Sequence, residues 1–125
     1  MKTYQPKASE VSREKHTLDA SGEVLGRFAT KVADLLSGKS KVTFARHMDM
    51  GDFVTVKNAK LIRLTGRKES QKLYRSHSGF PGGFKEVTIA KMRETQPEKI
   101  IKFAVRGMLP KNRLQSERLA RLKFE

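Results

Sequence analysis

The stretch HTLDASGEVLGRFATKVADLLSG, residues 16–38, decides the fold class. Its opening residues, His16–Ala20, read as a short strand closed by the turn residues Ser21 and Gly22. Leu25, Phe28, Ala29, Val32, Leu35 and Leu36 then recur at the i, i+3, i+4, i+7 spacing of an amphipathic helix. Arg27, Lys31 and Asp34 fall outside that stripe, and Gly38 supplies a C-terminal stop. Further along, Phe53–Val56 reads as a buried strand and Leu61–Thr65 as a second one ending at Gly66. Thr88 is placed to cap a short helix that ends before Pro97. Pro97 suits the first turn of the next helix. There Ile100, Ile101, Ala104, Val105, Met108 and Leu109 form the buried stripe, with Lys99, Lys102 and Arg106 on the opposite face. Pro110 ends that helix, and a last short one around Leu114–Ala120 carries Arg113, Arg118 and Arg121. Strands alternating with helices predict an α/β sandwich around a small sheet with some parallel pairing.

The 125 residues fit one compact domain, 1–125, and no repeat, heptad run or low-complexity tract divides them. The absence of cysteine excludes disulfide scaffolds, thiolate zinc fingers, iron–sulfur sites and cysteine nucleophiles. No apolar run approaches the roughly 18–20 residues that span a bilayer, and no signal-peptide pattern opens the chain. The expected setting is the cytoplasm. With 27 Lys+Arg against 13 Asp+Glu, the formal charge is +14. Such a charge on a small body is relieved by a polyanion, nucleic acid first and anionic membrane second. The charge is also concentrated. Residues 1–56 hold nine basic and seven acidic residues, net +2, and residues 57–125 hold eighteen and six, net +12. A scaffold half and a contact half are implied.

The segment 66–86 is long, basic and glycine-containing, with little apolar periodicity. Gly79, Gly82 and Gly83 let the backbone approach a partner closely, and successive amides in tight turns make anion-binding concavities. Lys68, Lys72, Arg75 and Lys85 supply charge around them. Tyr74, His77, Phe80 and Phe84 are available to stack on bases or pack against sugar, with Phe84 equally suited to the core. Other motifs fail. Gly38-Lys39-Ser40 looks like the end of a phosphate-binding loop, but the motif needs glycine where Ala33 stands, and a helix precedes it instead of a strand. His47, Asp49 and Asp52 resemble a metal or acid–base cluster, yet the three histidines lie far apart in sequence, and Asp52 is better read as closing the turn at Gly51. The glycines around Pro81 do not meet G-x-G-x-x-G. No cofactor, metal, catalytic group or small-molecule substrate is expected.

The words of the sequence then become recognisable. Residues 72–86, KLYRSHSGFPGGFKE, resemble the signature loop of the bacterial large-subunit ribosomal protein L13 family, and residues 106–112, RGMLPKN, resemble its second signature. Asp19-Ala20 and Leu25-Gly26-Arg27-Phe28-Ala29 match the early strand–helix unit. Gly51-Asp52-Phe53-Val54, Asn58-Ala59 and Thr65-Gly66 match the middle. The resemblance runs from about Met1 to Lys123. Departures are Gln115 where family members have glycine, no proline near Arg46, Lys57 in place of an apolar strand residue, and no counterpart of a short C-terminal tail. The resemblance implies a three-layer α/β/α fold with a mixed, mostly parallel, four-stranded sheet. It implies binding to large-subunit ribosomal RNA early in assembly, beside neighbouring large-subunit ribosomal proteins, with no catalysis and no membrane.

Together these readings predict a clamp on several RNA helices. The basic loop 66–86 would contribute Lys68, Lys72, Tyr74, Arg75, His77, Gly79, Gly82, Gly83 and Lys85. The C-terminal helices, residues 97–123, would contribute Arg106, Lys111, Arg113, Arg118 and Arg121. The arm 1–13 is polar and is expected to order on RNA or a neighbouring protein. About eight phosphate contacts would give a log–log salt slope of about −6 to −7. Three rivals are weaker. A free DNA-binding protein wants a recognition helix and usually a symmetric dimer; an enzyme wants the cluster that the failed motifs do not provide; a membrane module wants the Ile100–Leu109 stripe, which reads as core.

Overall fold

A computed structural model describes the whole chain, residues 1–125. Strand β1 (Lys15–Asp19), helix α1 (Leu25–Ser37) and strand β2 (Phe53–Lys57) come first. A short helix α2 (Lys68–Gln71) and strands β3 (Leu73–His77) and β4 (Phe84–Thr88) follow. The chain closes with helices α3 (Ile89–Thr95), α4 (Pro97–Met108) and α5 (Leu114–Ala120) and strand β5 (Leu122–Phe124). The α/β class is as expected from the sequence. Strands β1, β2 and β5 form a parallel sheet in the order β1-β2-β5, and β3 and β4 form a separate antiparallel pair.

The helices form where the periodicity places them. In α1 the buried side is Leu25, Phe28, Ala29, Val32, Ala33, Leu36 and Ser37. Gly38 ends it at φ 76°, a left-handed conformation that glycine adopts without steric cost. Thr88 Oγ1 accepts the Lys91 N–H to cap α3, and Pro97 opens α4. In α4 the inner side is Ile100, Ile101 and Val105, while Met108 is exposed. Gln115, the departure noted above, donates its amide to the carbonyls of Arg106 at 2.9 Å and Leu109 at 3.4 Å. It thereby occupies acceptors that the end of α4 would otherwise leave unpaired.

The sheet differs from expectation in two places. Leu61–Thr65 does not form a strand: Ala59–Leu61 is a 3-10 turn, and only a parallel bridge between Val24 and Arg63 remains of the fourth strand. In its place the chain supplies β5 from residues read as helix. Three residues sufficed because β5 lies beside β2, and long-range pairing of so short a segment leaves little periodic trace in sequence. The register aligns Val54 with His16 and Leu122, and Val56 with Leu18 and Phe124, on the face toward α1 and α4. The opposite face carries Lys15, Thr17, Lys57 and Lys123, all exposed, with Phe53 as its one exposed apolar side chain. Parallel sheets usually have both faces covered; here polar side chains keep this one compatible with water. Lys57, the other departure, ends β2 on that face and pairs with Glu125 at 3.4 Å.

An ion network ties the sheet to the end of α1. Arg121, at the end of α5, holds the Asp49 carboxylate with two nitrogens, one of them 2.7 Å from Oδ1. Its remaining N–H groups donate to the carbonyls of Asp52 at 3.2 Å and Leu36 at 2.7 Å. Arg13 donates to the carbonyls of Gly51 and Asp49. Asp52 accepts Lys41 at 2.6 Å, the Glu14 N–H at 3.1 Å and His16 Nε2 at 2.9 Å. Asp52 therefore ties down the base of the N-terminal arm, while the turn at Gly51 is bonded by Asp49. Burial pushes the Asp49 carboxyl upward, but the bonds and charge of Arg121 outweigh it, leaving the carboxyl below its ordinary 3.8. The Asp52 carboxyl is raised by burial and lowered further by Lys41, Glu14 N–H and His16, again to a net fall.

Two outcomes follow for stability. A Cβ on Gly51 would lie 1.7 Å from the Leu36 carbonyl oxygen, so Gly51→Ala should cost about 3 kcal/mol in urea unfolding. Both carboxyls titrate lower folded than unfolded, so their stabilisation is complete above about pH 5 and is lost as pH falls through the ordinary carboxylate range and below. Asp49→Asn should cost about 3 kcal/mol at pH 7, since it strands a buried guanidinium, and should flatten the acid limb of a stability–pH curve.

Candidate nucleic-acid interface

The basic segment 66–86 is a β-hairpin set on a short helix. Its inward pair is one cross-strand row, Tyr74 opposite Val87, too little to show as alternation in the sequence. The hairpin is held at its base. Arg93 of α3 donates to the carbonyls of Lys60 and Ile62 and pairs with Glu69 of α2 at 2.6 Å. The Tyr74 ring lies 5.6 Å from that of Phe103 on α4. Tyr74 is thus engaged with α4, with the Lys72 ammonium 5.5 Å from its centroid, rather than turned outward for stacking. Burial raises the Tyr74 phenol above its usual value and keeps it neutral.

Toward the tip the hairpin is exposed. Arg75 lies opposite Glu86 and His77 opposite Phe84 on one side, and Ser76 lies opposite Lys85 on the other. Phe84 and Phe80 are 56% and 74% exposed, so Phe84 belongs to the surface and not to the core. Gly79 and Gly82 adopt φ of 86° and 74°, which other residues reach only with strain. The Gly79 N–H donates to His77 Nδ1 at 2.9 Å. An acceptor nitrogen carries no proton, so this geometry assigns the hydrogen to Nε2, which has no partner within the chain. The hydrogen bonds of the tip, Ser78 N–H to Gly83 O and Gly83 N–H to Phe80 O, stay within the hairpin.

The second basic element is α4 with the turn after it. Lys99, Lys102, Arg106, Lys111 and Arg113 are exposed. Arg106, Lys111, Phe103 and Asn112 line an open groove of about 610 Å³. Phe103, which meets Tyr74, therefore joins the hairpin base to Arg106 and Lys111. Two expected contact residues lie elsewhere. Arg118 and Arg121 are 2% and 8% exposed, and both face Asp49. Arg118 stands four residues after Leu114 and four before Leu122, on the inner side of its segment, and that spacing was the available signal. Conversely, Lys39, Phe44 and Arg46 line a cavity with Arg118 and were not singled out. The rejected Gly38-Lys39-Ser40 motif includes Lys39 alone.

Carboxylate partners mark cations that hold the scaffold together. Arg13, Lys31 and Lys41 each have a carboxylate within 4.0 Å. In the candidate interface Arg75 alone is paired, to Glu86 at 2.9 Å; Lys68, Lys72, Lys85, Arg106, Lys111 and Arg113 have no carboxylate partner. Glu14, His16 and Asp52 bring ligand atoms within 4.8 Å of one another, but Lys41 already sits on Asp52 and supplies the countercharge. His47 is exposed and apart from that cluster. No helix is long and apolar enough to cross a membrane.

Comparison with known proteins gives one family. The family model described as Ribosomal protein L13 matches residues 13–124. The large ribosomal subunit protein uL13 of Roseiflexus sp. (strain RS-1) is 54% identical over 124 residues, covering 99% of this chain and 85% of its own length. The protein of the same name from Halorhodospira halophila is 52% identical over 123 residues, 98% of this chain and 87% of its own. That from Geobacter sp. (strain M21) is 50% identical over 124 residues, with 99% and 87% covered.

The hairpin tip should respond independently of the core. Gly79→Ala with Gly82→Ala introduces about 1–2 kcal/mol of strain at each site. Hydrogen exchange at the Ser78 and Gly83 amides is expected to accelerate about tenfold or more, while the Val54 and Val56 amides of β2 keep their rates.

Proposed function

The chain belongs to the ribosomal protein L13 family, a family of ribosomal structural proteins and not of enzymes, and from that membership we propose how it works as a constituent of the large ribosomal subunit. It binds large-subunit ribosomal RNA through two elements carried by one domain, the hairpin 66–86 and the basic surface of α4 and the turn after it. The contact residues are Lys68, Lys72, His77, Lys85, Arg106, Lys111 and Arg113, with the backbone of Gly79, Gly82 and Gly83 and, once released from Glu86, Arg75. Tyr74 positions the hairpin on α4. The arm 1–13 and neighbouring large-subunit proteins complete the contact, and binding occurs early in subunit assembly.

One observation carries this reading: Lys68, Lys72, Lys85, Arg106, Lys111 and Arg113, all exposed except the half-buried Lys72, have no carboxylate partner and lie on two elements joined through Tyr74 and Phe103. Unpaired surface cations raise the energy of the isolated protein by mutual repulsion and release condensed counterions when they meet phosphate. Arginine at 106 and 113 suits bidentate phosphate contact, lysine a less directional one. A-form RNA hides its base edges from side chains, so recognition rests on the shape formed where helices converge. An exposed glycine turn beside His77, whose Nε2–H has no partner within the chain, fits such a junction.

Salt dependence tests the assignment. In filter binding to large-subunit ribosomal RNA, a quadruple variant Lys72→Gln, Lys85→Gln, Arg106→Gln, Lys111→Gln should lower the magnitude of the log–log salt slope by about 3, from 0.7–0.9 per lost contact. Circular dichroism should remain unchanged. An unaltered slope, or equal affinity of the native protein for random duplex DNA, contradicts the proposal.

A further inference from the structure

Arg118 is 2% exposed, and its Nε has no hydrogen-bond partner. Its nearest carboxylate oxygen is Asp49 Oδ1 at 3.7 Å, and that carboxylate is already held by Arg121 and approached by Arg13 at 3.8 Å. Three guanidinium groups thus share one carboxylate. A buried, under-compensated cation is costly, and an added anion removes the cost. Arg118 also lines a cavity of about 450 Å³ between the end of α1, the segment around Phe44 and the turn after α4. Lys39 and Arg46 stand at the same cavity against a single acidic side chain, Asp34. The rest of the wall has a different chemistry: Phe44 is half-buried, Pro110 and Met108 are apolar, and Asn112 brings an amide.

A flat apolar side, an amide and a cationic rim match a nucleotide, whose base stacks on an aromatic ring while its phosphate meets the cations. The volume falls in the range of small-ligand pockets. We propose that this cavity receives one unstacked nucleotide of the large-subunit RNA, its base against Phe44 and its phosphate toward Lys39, Arg46 and Arg118. The inference rests on the RNA-binding reading above, but it adds a third contact, where the first half of the chain meets the turn after α4. Its components are the basic turn after Gly38 and a buried arginine, neither of which belongs to the hairpin or to the exposed face of α4. It also gives Arg118 a role that burial in an ordinary core would not explain.

Crosslinking tests it in assembled subunits. The chain carrying Phe44→p-azidophenylalanine is expressed in cells, and large subunits are purified and irradiated. The expected product joins position 44 to one nucleotide that is unpaired in the RNA secondary structure. Chemical probing of that nucleotide should then show several-fold higher reactivity with Phe44→Leu and native protection with Phe44→Trp. A packing role alone would not make protection depend on an aromatic ring. Crosslinks spread over base-paired segments, or to another ribosomal protein, overturn the nucleotide assignment while leaving the hairpin reading intact. A chain that does not enter large subunits at all overturns both.

Discussion

Asp49 and Arg121 are seventy-two positions apart, yet their ion pair holds the molecule in register. Arg121 sits where α5 passes into β5, and its guanidinium reaches three things at once: the Asp49 carboxylate, the Asp52 carbonyl and the Leu36 carbonyl at the end of α1. Gly51 lies directly beneath, with no room for a side chain. The N-terminal arm is fastened to the same place through Arg13 and the Glu14 N–H. A three-residue strand such as β5 has little intrinsic stability, so its place beside β2 depends on this anchor. With β5 fixed, α5 and the turn before it are fixed too, and Arg106, Lys111 and Arg113 acquire defined positions.

The same arrangement explains why a chain of such high charge folds. Positive groups near the core are neutralised one by one: Arg121 by Asp49, Lys41 by Asp52, Arg93 by Glu69. Many other cations, most of those on the hairpin and α4 among them, have no such partner, and water screens them until a polyanion arrives. Arg118 is the exception, since it is buried without a full set of partners. Its nearest carboxylate, Asp49, is shared with Arg121 and Arg13, which is the ground for proposing that an added anion completes its surroundings.

The α/β class, α1, its glycine stop, the Thr88 cap and the Pro97 start were legible because each depends on local periodicity or on one residue's backbone chemistry. The hairpin was legible as a basic contact segment but not as strands: only Tyr74 and Val87 turn inward, so two-residue alternation never builds up. Leu61–Thr65 looked like a strand from its apolar content alone, and tertiary context reduced it to the Val24–Arg63 bridge. Arg118 and Arg121 were counted with the outward charges because arginine is rarely buried; their partner Asp49 lies too far along the chain for any local pattern to join them. The family resemblance supplied what periodicity did not, namely RNA as the polyanion.

The proposed grip of the hairpin on large-subunit RNA can be observed in the cell. Crosslinking in living cells, followed by sedimentation and sequencing of the attached RNA, tests it most directly. The protein is expected to sediment with the large subunit at moderate salt, with crosslinks from residues 74–85 to large-subunit ribosomal RNA. A protein that runs free near its own 14.2 kDa, with no ribosomal RNA attached, would contradict it.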